Sequence, residues 1–150
     1  MTPVLVVQVK NTSTVMANLA KAVLHVAVGV IVRQQQVLLA LRKASQHQGG
    51  KWEFPGGKLE QGELTEHALV RELAEEIGIA VQASSPLLQL RYQYPEREVF
   101  LDIRLVTEFS GEPQGLEGQA VKWFAISELD TIALPDANQP IVEHLQQHFL

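Results

Sequence analysis

Strand-length apolar runs interleaved with two helix-length segments predict an α/β fold in which a mixed β-sheet packs between helices. Runs suited to buried or half-buried strands recur at Val23–Val32, Val37–Leu41, Leu87–Tyr94, Glu98–Phe109 and Val121–Ile126. Leu69, Leu73 and Ile77 repeat at helical spacing, and Ile141–Phe149 forms a second helical segment after Pro140. A chain of 150 residues, 46% hydrophobic and 19% charged, suits one globular domain with a substantial core.

Taken in order, the first twenty residues are the least decided. Val4–Val9 reads as an added edge strand, whereas Asn11–Thr14 is polar and Met16 offers an in-frame start. The expectation is an N-terminal extension over residues 1–20, dispensable and poorly ordered, before a folded domain over 21–150. The first two strands are joined by a polar turn at Arg33-Gln34-Gln35-Gln36, and Gln46–Gly50 is a loop. Trp52-Glu53-Phe54 leads into the loop Pro55-Gly56-Gly57, where glycine lets backbone approach a ligand. Thr65 is the expected N-cap, and Gly78 the stop, of a helix of about twelve residues. Leu87–Tyr94 and Glu98–Phe109 pair antiparallel across a bend at Pro95-Glu96. Ser110–Gly118 is a glycine-rich loop, and Ser127 caps a short helical turn after the last strand.

Charge and composition exclude several classes. A net charge of −5 argues against a surface that grips nucleic acid backbones. A small polyanionic substrate remains compatible, because a bound metal reverses the local field. Without cysteine the chain forms no disulfide, thiolate zinc site or cysteine nucleophile, which agrees with a cytoplasmic protein. Ala22–Val32 is too short to span a bilayer, and the N-terminus lacks the basic region and cleavage site of a signal peptide. The expected partner is a small molecule, with neither nucleic acid nor membrane, and the expected state is a monomer.

The chemistry concentrates in residues 57–79. Glu72, Glu75 and Glu76 share one arc of the expected helix, apart from the apolar stripe. Clustered carboxylates suit a hard divalent cation, so Mg2+ is expected, with Mn2+ as a substitute. Arg71 is expected to point away from the acids and to be structural.

The segment reads Gly57-x5-Glu63-x7-Arg71-Glu72-Leu73-x-Glu75-Glu76-x-Gly78-Ile79 and resembles the Nudix box at every defined position. The phrases VAVGVIV, Arg42-Lys43, KWEFPGGKLE, YQYPERE, SGEPQGLEGQ and LPDANQPI extend the resemblance to the MutT subgroup from about His25 to Leu145. The resemblance implies a Nudix α/β/α sandwich and Mg2+-dependent hydrolysis of a nucleoside triphosphate to monophosphate and pyrophosphate, with 8-oxo-dGTP as substrate. It implies that the Gly56 carbonyl, Glu72, Glu75, Glu76 and Glu117 hold metal, and that Glu72 or Glu117 accepts the proton of water. Lys58 resembles a phosphate-side lysine, and Arg42, Arg97 and Asn138 match positions that hold the nucleotide. Tyr94 either joins the base pocket or packs on the sheet. Glu63 is implied to pair with Arg71, with Gly57 and Gly78 shaping the motif. Other readings are a Nudix pyrophosphatase for another (d)NTP, a pterin triphosphate or a nucleoside diphosphate sugar, and a non-catalytic nucleotide-binding module. His25 and His47 receive no role.

Overall fold

In the computed structural model, residues 5–9, 23–46 and 49–149 are described. The second strand, β2 (Leu24–Arg33), organises the fold because both of its faces and both of its edges are used. Ala27 and Ile31 point into one apolar layer, while Val28 and Val30 point into the other. That two-sided burial is why the run reads as continuously apolar rather than alternating.

Around β2 lie β1 (Leu5–Val9), β3 (Gln36–Leu41), β4 (Trp52–Glu53), β5 (Gly56–Lys58), β6 (Ala80–Gln93), β7 (Glu98–Ser110) and β8 (Val121–Ala125). The sheet runs β1-β6-β7-β2-β3-β4, with β5 on β2 and β8 on β3. β1 with β6 and β2 with β7 are parallel, and the other pairs are antiparallel, so the sheet is mixed. β7 occupies one edge of β2 along its length. On the other edge β3 pairs only at Val32–Val37 and Arg33–Gln36, leaving Val26, Ala27 and Val28 to pair with β5. This divided edge opens the cleft described below.

One helix covers each face. α1 (Thr65–Ile77) buries Ala68, Leu69, Leu73 and Ile77 against Ala27, Ile31, Leu38 and Val106. α2 (Gln139–His148) buries Ile141, Val142 and Leu145 with Val28, Val30, Leu90 and Ile103. The expected α/β/α sandwich is therefore the fold. No helix among the described residues is long and apolar enough to cross a membrane.

Several local expectations change. Leu64, with φ −79 and ψ 150, takes the cap position of α1, and Thr65 is already helical. The Thr65 hydroxyl instead donates to Asp102 Oδ2 at 2.7 Å, tying α1 to β7. Gly78 does end the helix, in the left-handed region at φ 71, with its N–H on Ala74 and that of Ile79 on Leu73. The glycine loop is in part a strand, β5, because β3 leaves that edge of β2 unpaired. β6 starts at Ala80 rather than Leu87; its polar first half is held by β7 through register shifts between Val81 and Leu88. Ser127 does not cap the 3-10 turn Ile126–Thr131; Glu128 Oε1 accepts the N–H of Ala125 at 3.0 Å. Pro140 lies inside the first turn of α2, where its missing N–H costs no helical hydrogen bond. The edge-strand reading of the N-terminus agrees with β1, which pairs Leu5 with Leu88 and Val9 with Tyr92. The expectation of a dispensable and poorly ordered extension over residues 1–20 falls, β1 apart, outside the described residues.

The β2–β3 turn holds Gln34 at φ 52 and Gln35 at φ 63, the signature of a two-residue hairpin turn that favours Asn-Gly. A left-handed conformation costs a non-glycine residue about 1–2 kcal/mol. Gln34→Asn with Gln35→Gly should therefore raise stability by about 1 kcal/mol in urea unfolding. Stability equal to or below wild type would refute strain at this turn.

Candidate active site

Between β5, the end of β3 and the loop before α2 lies a cleft of about 560 Å3. Leu24, Val26, Val28, Val99 and Leu101 give it an apolar wall, and polar groups enter from several segments. The cleft gathers Gly56, Gly57, Lys58, Glu72, Glu76, Arg42, Tyr94, Arg97 and Asn138 from the expected site residues. Glu63, Arg71, Glu75, Gly78 and Glu117 do not line it.

α1 aims Glu72 and Glu76 at the cleft because they stand four residues apart, on an arc separate from the buried stripe. Gly57 permits the approach of Glu72, since a Cβ there would collide with the Glu72 carboxylate. Glu76 is crowded. Burial first, and then the charges of Glu72 and Glu117, push its carboxyl up to about 8.

The expectation that Arg71 points away from the acids is corrected. Its guanidinium donates to Glu63 at 2.8 and 2.9 Å, to Glu72 at 2.8 Å and to the Lys58 carbonyl at 3.1 Å, and lies 3.6 Å from Glu75. The segment between β5 and α1 folds back over the helix, so one long cation reaches both loop and acids. Arg71 first, and then the Glu60 N–H, hold Glu63 down at about 2.

Glu117 reaches the acids by a different route. The last turn of α1 leaves carbonyls without helical partners. Leu116 N–H and the Gln119 amide donate to the Glu76 carbonyl at 2.9 and 3.0 Å, and Gln114 N–H donates to the Ile77 carbonyl at 3.0 Å. These bonds pin the glycine-rich loop to the helix end, and Gln119 Oε1 accepts the Glu117 N–H at 2.9 Å. Sequence reasoning gave Gln119 no part in the site.

It also passed over Glu53. This residue lines the cleft, pairs with Arg42, and adds to the negative field at Glu76. Burial, opposed by Arg42, pushes its own carboxyl up. The available signal was an acid inside an otherwise apolar Trp52-Glu53-Phe54 strand beside the glycines.

Asn138 also lines the cleft; it is buried, and its Oδ1 accepts the Phe54 N–H at 3.4 Å. Arg97 follows the Pro95-Glu96 bend, which is closed by Tyr94 N–H on the Arg97 carbonyl at 2.9 Å. His25 is exposed, its ring 5.3 Å from Phe100, and His47 lies outside the described residues.

Among the described residues no three His, Asp or Glu side chains converge closely enough to enclose a metal ion. Glu75 is 58% exposed and lies 3.6 Å from Arg71, whereas Glu76 is close enough to Glu72 for a side-chain hydrogen bond. The oxygen-only set and the crowding recorded at Glu76 nevertheless suit a hard divalent cation, which would relieve that repulsion.

Residues 27–144 match the NUDIX domain family. An 8-oxo-dGTP diphosphatase of Escherichia coli (strain K12) is 41% identical over 83% of this chain and 97% of its own length. A CTP pyrophosphohydrolase of the same organism is 36% identical over 80% of this chain and 89% of its own. A solved MutT structure, from work on Aliivibrio salmonicida and Vibrio cholerae, superposes with a TM-score of 0.74 at 37% identity, covering 85% of this chain and 100% of the other.

A carboxyl raised on folding from 4.5 to about 8 takes up a proton. Its contribution therefore favours the folded chain at low pH and is lost as pH rises through about 8. In chelator, Glu76→Gln should melt above wild type at pH 8.5 and near it at pH 5, while turnover with metal nearly vanishes. Glu66→Gln, on the same helix but paired only with Arg104 at 3.6 Å, should change little. Near-normal kcat for Glu76→Gln at saturating metal would remove Glu76 from the reaction.

Proposed function

The chain belongs to the Nudix family, and from that premise we propose that it hydrolyses 8-oxo-dGTP to 8-oxo-dGMP and pyrophosphate, using Mg2+ with Mn2+ as a substitute. It is a MutT-like Nudix hydrolase, an enzyme of a family that works with a divalent metal ion. The observation that supports the substrate assignment is that one cleft is lined both by the carboxylates of Glu72 and Glu76 and by the buried amide of Asn138.

The triphosphate lies toward Glu72 and Glu76, where the Gly56 carbonyl, Glu72, Glu75, Glu76 and Glu117 would hold the metal. When bound, the metal neutralises charge on the phosphate oxygens and lowers the pKa of water. Lys58 meets the phosphates from β5, and Arg42 and Arg97 hold the nucleotide from the end of β3 and the bend before β7. Glu72 or Glu117 accepts the proton of the attacking water. Attack at the β-phosphorus breaks its bond to the α,β-bridging oxygen, so the monophosphate leaves with that oxygen and pyrophosphate carries the oxygen of water.

The base lies toward Asn138. One lone pair of Oδ1 meets the Phe54 N–H, the other is available to the N7–H that only the 8-oxo base carries, and the NH2 donates to O6. An ordinary guanine would set its N7 lone pair against the same oxygen. A site built around such hydrogen bonds discriminates far better than an apolar pocket. The reaction belongs in the cytoplasm and to a monomer acting on free nucleotides, a reading supported by the absence of cysteine and the net charge of −5.

A second reading, hydrolysis of another nucleoside triphosphate, is favoured by the likeness to the CTP pyrophosphohydrolase. Pterin triphosphates and nucleoside diphosphate sugars belong to the same alternative, whereas a non-catalytic module is disfavoured by the complete set of box carboxylates.

With Mg2+, kcat/KM should be highest for 8-oxo-dGTP in a panel with dGTP and CTP, and 18O from water should appear in pyrophosphate. Asn138→Ala should cost 8-oxo-dGTP about 100-fold and dGTP far less, with a fall in melting temperature that reflects the lost Phe54 N–H contact and is the same with either substrate. Preference for CTP, or label in the monophosphate, would overturn the substrate or the site of attack respectively.

A further inference from the structure

Asn138 ends a three-residue turn, Asp136–Asn138, and stands at the cap position of α2, so α2 fixes the turn from one side only. Its N–H donates to the Pro135 carbonyl at 2.9 Å, which closes the turn but does not anchor it to the sheet. β6 and the residue after it supply the anchor. The Tyr94 hydroxyl accepts the N–H of Ala137, the residue before Asn138, at 3.1 Å. Tyr94 and Ala137 are only 6% and 3% exposed, so water is poorly placed to take over that hydrogen bond. The Tyr92 ring lies 4.7 Å from that of Tyr94, and its phenol faces the Asp136 carboxylate. Two tyrosines thus meet the two residues that lead into Asn138.

We propose that Tyr94 is a positioning residue for base selection: its hydroxyl, through Ala137, sets the plane in which Asn138 presents its amide to the cleft. The phenolic oxygen makes the turn a fixed extension of the sheet. Without it Asn138 keeps the Phe54 contact but loses a defined angle to the base. The inference rests on the reading of the cleft as an 8-oxoguanine nucleotide site.

Tyr94→Phe keeps the ring, and so any packing against base or sheet, and removes only the hydroxyl. For 8-oxo-dGTP its kcat/KM should fall about tenfold, in KM rather than kcat, and several-fold less for dGTP. In an Asn138→Ala background the same change should leave the ratio of the two substrates where Asn138→Ala alone puts it. Assays run below the melting transitions of all variants separate this from loss of fold, and Tyr92→Phe, which loosens Asp136, should reduce the ratio to a lesser degree. Equal losses on both substrates, or a further drop in the ratio when Asn138 is already alanine, would overturn the positioning role. A wild-type enzyme without preference for 8-oxo-dGTP over dGTP overturns the substrate reading and takes this inference with it. A selective wild type with an unchanged Tyr94→Phe ratio overturns the inference alone.

Discussion

The rest of the structure depends on a concentration of negative charge in the last two turns of α1. Glu72, Glu75 and Glu76 stand toward the end of the helix where the backbone dipole disfavours anions, and the last turn holds no basic residue. Each like-charged pair at helical spacing costs a few tenths of a kcal/mol when exposed. The adjoining apolar stripe buries Leu69, Leu73 and Ile77 completely, and each such side chain contributes about 1.5–3 kcal/mol. Burial exceeds repulsion, so the helix carries charges that would weaken it in isolation. Arg71 completes the compensation by joining Glu63 and Glu72 through one guanidinium.

The same helix end explains how a distant acid arrives. Unsatisfied carbonyls at the C-terminus of α1 accept N–H groups from the loop that carries Glu117. A backbone requirement of the helix therefore doubles as the device that adds a fourth carboxylate to the field around Glu72 and Glu76. Gly57 plays the matching part on β5, where the absence of a side chain lets Glu72 lie against the strand. Neither device is chemical in itself, yet one brings Glu117 to the end of α1 and the other leaves room for Glu72 against β5.

Much of this was legible in the sequence. The strands, the helix over the box, its glycine stop and the sandwich follow from period and spacing, which are local properties. The misses share a cause. Thr65, expected to cap α1, bonds Asp102, which lies 37 residues away. The polar start of β6 becomes strand only because β7 pairs with it. Arg71 was expected to turn from the acids because helical geometry alone separates positions 71 and 72, whereas the loop that folds back over α1 brings Glu63 to the same guanidinium. Glu53 and Gln119 were passed over because a lone acid in a strand and a lone amide in a loop carry no pattern of their own.

That contrast bears on how substrate choice relates to reaction class. Glu72, Glu75 and Glu76 come from one continuous helix, so their spacing announces the chemistry. The surroundings of Asn138 join Phe54 to Asn138 across 84 residues and Tyr94 to Ala137 across 43. No single segment contains that information, and it exists only once the sheet has formed. The box acids ride on α1, while Asn138 is held from Tyr94, just after β6, and from Phe54, the neighbour of Glu53. An 8-oxo-dGTP diphosphatase and a CTP pyrophosphohydrolase each align with at least 80% of this chain, so likeness along the fold does not by itself fix the nucleotide.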